Sequence, residues 1–97
     1  MREIALPPNL VEIGEYAFRG CTSLVDITLP PNLTKIGGSG FCRCTSLSEI
    51  VLPLNLAEIG ANAFSECTSL AVITLPAGPV DVGEDAFRDC PGMPATQ

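Results

Sequence analysis

The chain has 97 residues, 46% hydrophobic and 16% charged, with a net charge of −6 and a pI near 4.3. That length and composition suit one packed domain and not a disordered chain. Five Lys and Arg are too few to build a basic groove, which argues against a nucleic-acid partner. No apolar run reaches the roughly 18 residues of a membrane-spanning helix.

The chain starts Met-Arg-Glu-Ile-Ala-Leu-Pro, with no apolar signal region, and enters a repeat at once. On this reading the protein is either intracellular or has had the segments that would address it cut away. Cys21, Cys44, Cys67 and Cys90 fall 23 residues apart, and Phe18, Phe41, Phe64 and Phe87 keep the same period. Such a period marks a solenoid in which each coil buries its apolar edge on the next. Four units follow, 2–24, 25–47, 48–70 and 71–93, with a tail at 94–97, all in one domain spanning 1–97.

Each unit opens on a short alternating stretch. Ile and Leu at 4/6, 27/29, 50/52 and 73/75 share one face. The other face carries Glu3, Ala5, Asp26, Thr28, Glu49, Val51, Val72 and Thr74. Pro7, Pro30, Pro53 and Pro76 end these strands, since proline cannot donate to a ladder. Stacking the units gives a parallel four-stranded sheet. A turn then reaches Gly14, Gly37, Gly60 and Gly83, whose shared register predicts a backbone with φ > 0. The next stretch, Glu15-Tyr16-Ala17-Phe18 in the first unit, allows a turn or two of helix that points Phe inward. Three units close on Thr-Ser-Leu.

One copy of the pattern L-x-x-I-x-L-P-x-x-L-x-x-I-G-x-x-A-F-x-x-C runs from Leu47 through Ile50, Leu52, Pro53, Leu56, Ile59, Gly60, Ala63 and Phe64 to Cys67. The copy starting at Leu24 keeps all of it but the Ala. This resembles the 23-residue leucine-rich repeat of the BspA-like (Treponema-type) family over residues 2–93. The resemblance implies an α/β solenoid: a curved right-handed stack with strands on the concave side and short helical or 3-10 turns on the convex side. It also implies a non-enzymatic binding role, often at bacterial or protist cell surfaces, with no catalytic residues and no cofactor. Gly38-Ser39-Gly40 should loosen the convex side of the second coil. The fourth decays, with Pro79 in the Leu column, Val82 for Ile and Pro91-Gly92-Met93 for Thr-Ser-Leu.

The cysteine ladder reads as buried thiols packing as small hydrophobes; a disulfide between neighbouring coils and a metal site are the other readings. Cys42 shares a column with Arg19, Ser65 and Arg88, which should face solvent, so it is a candidate reactive thiol. Glu3, Asp26 and Glu49 line up on the concave face. They are either a solvated edge, a seat for a basic protein surface, or a calcium site short of oxygens. Asn9, Asn32 and Asn55 should bond the turn of an adjacent coil. The sequence has no His base and no phosphate cradle.

In the first coil Ile4, Leu6, Leu10, Ile13, Phe18 and Leu24 would face an uncapped end. Covering about 400 Å² there would contribute at most about 10 kcal/mol, which predicts association. Three functions follow: a protein-interaction module, an accessory subunit docking by that end on an assembly or a second copy, or a segment or consensus-like chain with no function of its own. The partner is a protein or a second copy, and no small-molecule substrate is evident.

Overall fold

The computed structural model describes residues 3–76 and 78–92, with side chains from Leu6 onward, so Met93 and the tail lie outside the described residues. Two columns of short strands run along the stack. The first holds β1 (Glu3–Ala5), β3 (Asp26–Thr28), β5 (Glu49–Val51) and β7 (Val72–Thr74). The second holds β2 (Glu12–Ile13), β4 (Lys35–Ile36), β6 (Glu58–Ile59) and β8 (Asp81–Val82). Between the columns the first three coils reverse in a turn: Leu10 N–H donates to the Pro7 carbonyl at 3.1 Å, and Leu33 and Leu56 repeat the bond to Pro30 and Pro53. Proline suits a turn's start because it gives up only a donor.

The continuous four-stranded parallel sheet is the second column, in the order β2-β4-β6-β8, with Ile13, Ile36, Ile59 and Val82 in register. The sequence predicts a turn there, because two residues are too few to show an alternation. The first column, where a four-stranded sheet is expected, divides into β1-β3 and β5-β7. β3 and β5 lie side by side without forming a ladder.

Helices are absent among the described residues. Positions 14–21 and their equivalents form consecutive turns instead. Ala17, Arg19 and Cys21 N–H donate three residues back, while Tyr16, Phe18 and Gly20 N–H donate to Gly38, Gly40 and Cys42 of the next coil. Alternate amides thus leave the coil, and an α-helix needs all of them at i−4. The backbone follows suit: Tyr16, Ser39, Asn62 and Asp85 are left-handed, as are Gly20, Arg43, Glu66 and Asp89. The second coil keeps this pattern and is not loosened. Gly40 is buried, and a Cβ there would meet the Gly37 carbonyl at 3.1 Å.

The glycine column is not left-handed either; among the glycines only Gly20 has positive φ. What Gly37, Gly60 and Gly83 supply is room. A Cβ on Gly60 would stand 2.5 Å from Gly38 N, and one on Gly83 2.4 Å from Ala61 N. The coils close there through Gly60 N–H to the Ile36 carbonyl and Gly83 N–H to the Ile59 carbonyl, both 2.7 Å.

Inside, Phe18, Phe41, Phe64 and Phe87 stack with centroids 5.1–5.4 Å apart and planes within 11°. Near-parallel rings at that spacing lie within the range over which aromatic pairs attract. The cysteine ladder runs beside it. Cys44, Cys67 and Cys90 Sγ donate to the carbonyls of Phe18, Phe41 and Phe64, at 3.1, 3.0 and 2.9 Å. Each thiol fills a gap and gives a buried carbonyl its second donor. Leu24, Leu33, Ile36, Leu47, Ile59 and Leu70 complete a core that is almost fully excluded from solvent. In the last coil Ile73, Leu75 and Val80 are only partly buried, and Val82 is exposed.

Candidate functional site

The strand alternation sends Ile27 and Ile50 inward and leaves Asp26, Thr28, Glu49 and Val51 exposed. Val72 and Thr74 continue that exposed face on β7. Glu3 and Ala5 pair with Asp26 and Thr28 through the backbone, which places them at the same register positions. The structure thus gathers the predicted face into one row of strands. It also adds a feature that the alternation does not contain. Where β3 and β5 fail to pair, a groove of about 560 Å³ opens. Asp26, Thr28, Glu49 and Val51 line it, and its far side is made by the turns that follow, with Pro31, Pro53 and Leu54.

Leu54 is 76% exposed and Val51 55% exposed, so the groove has an apolar lip beside two carboxylates. Side-chain alternation reveals Val51 but not Leu54, which sits in a turn. Its signal is a column: Pro8 and Pro31 stand where the third coil has Leu54. Asn32 and Asn55 also border the groove; like Asn9 they are exposed, and backbone bonds rather than amide side chains close their turns.

A second trough, about 450 Å³, lies over the continuous sheet between Glu12, Glu15, Lys35 and Glu58, on a floor of Gly37, Gly38 and Gly60. Lys35 Nζ approaches Glu58 at 3.9 Å. With no apolar anchor, this trough lacks what usually carries affinity.

The remaining candidates are displaced by burial. Cys42 is 9% exposed and not a surface thiol. Small side chains in its column, Cys42 and Ser65, are covered by the bonded turns on either side, whereas Arg19 and Arg88 reach past them. All five cysteines are free thiols, and only Cys21 is more than marginally accessible. Burial pushes the Cys44 thiol up to about 11. The adjacent Cys90 thiol, with burial, raises Cys67 as well. Thiols so held are poor nucleophiles. Among the described residues no three His, Cys, Asp or Glu side chains converge on a point where a metal could sit. Of the residues assigned to an uncapped end, Ile13 and Leu24 are already buried within the chain. Leu6, Leu10 and Phe18 are half-buried, and the Ile4 side chain lies outside the described residues. No helix among the described residues is long and apolar enough to cross a membrane.

The sequence pattern of the BspA type leucine rich repeat region matches residues 1–94 in six copies. The fold is similar to the crystal structure of a Treponema pallidum leucine-rich repeat protein, with a TM-score of 0.62 and 30% identity. That likeness covers 93% of this chain and 53% of the other, so the chain spans about half the length of the protein it resembles. No curated protein matches it.

Proposed function

The chain belongs to the BspA-type leucine-rich repeat family, and from that membership we propose that it is a non-enzymatic protein-interaction module binding through the exposed face of β1, β3, β5 and β7. Repeat solenoids of this kind use the extended surface that stacking creates, because a regular row of strands offers many weak contacts at fixed spacing. The observation that carries the reading is the groove between β3 and β5, which sets exposed Val51 and Leu54 beside Asp26 and Glu49. An apolar anchor framed by charge is the usual anatomy of a contact centre.

The test is selection without a presumed partner. A displayed library of small binding domains is enriched on the wild-type chain and retested on a Thr28→Arg/Val51→Arg variant. A Glu84→Arg variant, altered outside the strand face, is the control. Far-UV circular dichroism first establishes that both variants are folded. Most enriched binders should lose about tenfold or more on the face variant and keep their affinity on the control. Binders indifferent to Thr28 and Val51 would sink the reading.

A further inference from the structure

We propose that the gap between β3 and β5 seats one extended basic–aliphatic segment of a partner protein. The cation of a Lys or Arg in that segment lies between Asp26 and Glu49, and a neighbouring aliphatic side chain rests on Val51 and Leu54. This rests on the strand-face reading above and names the kind of partner.

The first ground is the shape of the coil junction. On one side the second and third coils are closely bonded: Ala57 N–H donates to the Thr34 carbonyl at 2.9 Å and Gly60 N–H to that of Ile36 at 2.7 Å. On the other side β3 and β5 form no ladder, and there the nearest backbone bond, Ser48 N–H to the Val25 carbonyl, is stretched to 3.4 Å. The junction is therefore closed at one edge and parted at the other. Charge alone does not part it, since Glu3 and Asp26 pair in register across β1 and β3. The resulting groove, about 560 Å³, is the size of a pocket for a few side chains and not for a folded domain.

The second ground is charge complementarity. Two exposed carboxylates border the groove, and among the described residues no Lys or Arg lines it. A second copy of this chain, with a net charge of −6, would bring acid to acid. Calcium wants six to eight converging oxygens, and Asp26, Glu49 and Thr28 offer too few. A single cation on a flexible stem satisfies both carboxylates, while its alkyl stem and an aliphatic neighbour cover Val51 and Leu54.

The experiment uses capped synthetic hexapeptides of alternating lysine and valine, with glutamate–valine and lysine–glycine versions as controls, titrated into the 15N-labelled chain. The lysine–valine peptide should shift the backbone amides of residues 26–28, 49–52, 54 and 55, and high salt should weaken it. Asp26→Asn/Glu49→Gln should weaken it about fivefold and Leu54→Ser about threefold, each variant keeping its unliganded amide spectrum elsewhere. The glutamate–valine peptide should shift nothing, and the lysine–glycine peptide should bind more weakly. Shifts that map elsewhere, or that ignore Asp26 and Glu49, would overturn the proposal. So would the same amides moving with calcium alone, or on concentrating the peptide-free chain. If selected library binders still depend on Thr28 and Val51 while the lysine–valine peptide leaves the gap untouched, the gap proposal fails and the strand-face reading survives. If those binders ignore the face, the reading itself fails.

Discussion

Tyr16 sits at φ 61° and is 61% exposed, and the Arg19 guanidinium lies 5.9 Å from the ring centroid. Left-handed backbone is costly for an aromatic residue and cheapest, glycine aside, for Asn or Asp. The same column holds Ser39, Asn62 and Asp85, so Tyr16 is the misfit. Tyr16→Asn should relieve about 1 kcal/mol of strain and lose about half of that with the cation–π contact, a net gain of about 0.5 kcal/mol in urea unfolding. The reverse change, Asn62→Tyr, should destabilise. A gain there would mean the left-handed column is not what sets the preference. Cys44 supplies a second residue-scale test. Its thiol is raised from 9.0 to about 11 when folded, chiefly by burial, so the folded chain holds the proton more tightly than the unfolded one. Stability from that difference is complete below about pH 9 and drains away as pH rises towards about 11. The urea midpoint should fall across that window. In Cys44→Ala the fall should be shallower, although the variant is weaker at pH 7 for want of the bond to the Phe18 carbonyl. An unchanged slope would remove Cys44 from the account.

Elements here are made by contacts between coils, and that decides what a single coil's sequence reveals. The 23-residue period places Ile27, Leu29, Phe41 and Cys44 in the core, and alternation alone places Asp26, Thr28, Glu49 and Val51 outside. The parting of β3 from β5 is invisible in that pattern, because Asp26-Ile27-Thr28 and Glu49-Ile50-Val51 alternate alike. The helical expectation fails for a related reason: the amides of Phe18, Phe41 and Phe64 bond the following coil, and no local propensity encodes that. The glycine column shows the difference most sharply. Gly60 and Gly14 occupy the same sequence position, yet a Cβ on Gly60 would collide with Gly38 backbone while one on Gly14 meets nothing within 4 Å. Gly60→Ala should therefore cost about 2 kcal/mol or more, because neighbouring backbone cannot yield as a side chain can. Gly14→Ala should be neutral or stabilising by about 0.5 kcal/mol through the unfolded chain. Equal costs would restore a conformational origin for the column.

Across the whole molecule, stability in a stack is a sum of coils and the junctions between them. The rings of Phe41 and Phe64 are each stacked on two sides, and both residues are fully buried. Phe18 stacks on one ring among the described residues and is half-buried. Phe64→Ala deletes two stacking contacts and leaves a cavity between two junctions, for about 3–5 kcal/mol. A chain of this length has on the order of 5–15 kcal/mol in total, so the loss can approach the whole. Phe18→Ala removes one contact from a residue already partly wet and should cost about half as much. Native-state hydrogen exchange gives the same ordering without mutation. The amides of Phe41, Gly60 and Phe64, bonded at 2.7 Å into the neighbouring coil, should open only by global unfolding. Those of the last coil, where Leu75, Val80 and Val82 are poorly covered, should exchange by local opening. Uniform protection from the first coil to the last would mean that the coils unfold as one unit and that a sum of separate coils and junctions does not describe this chain.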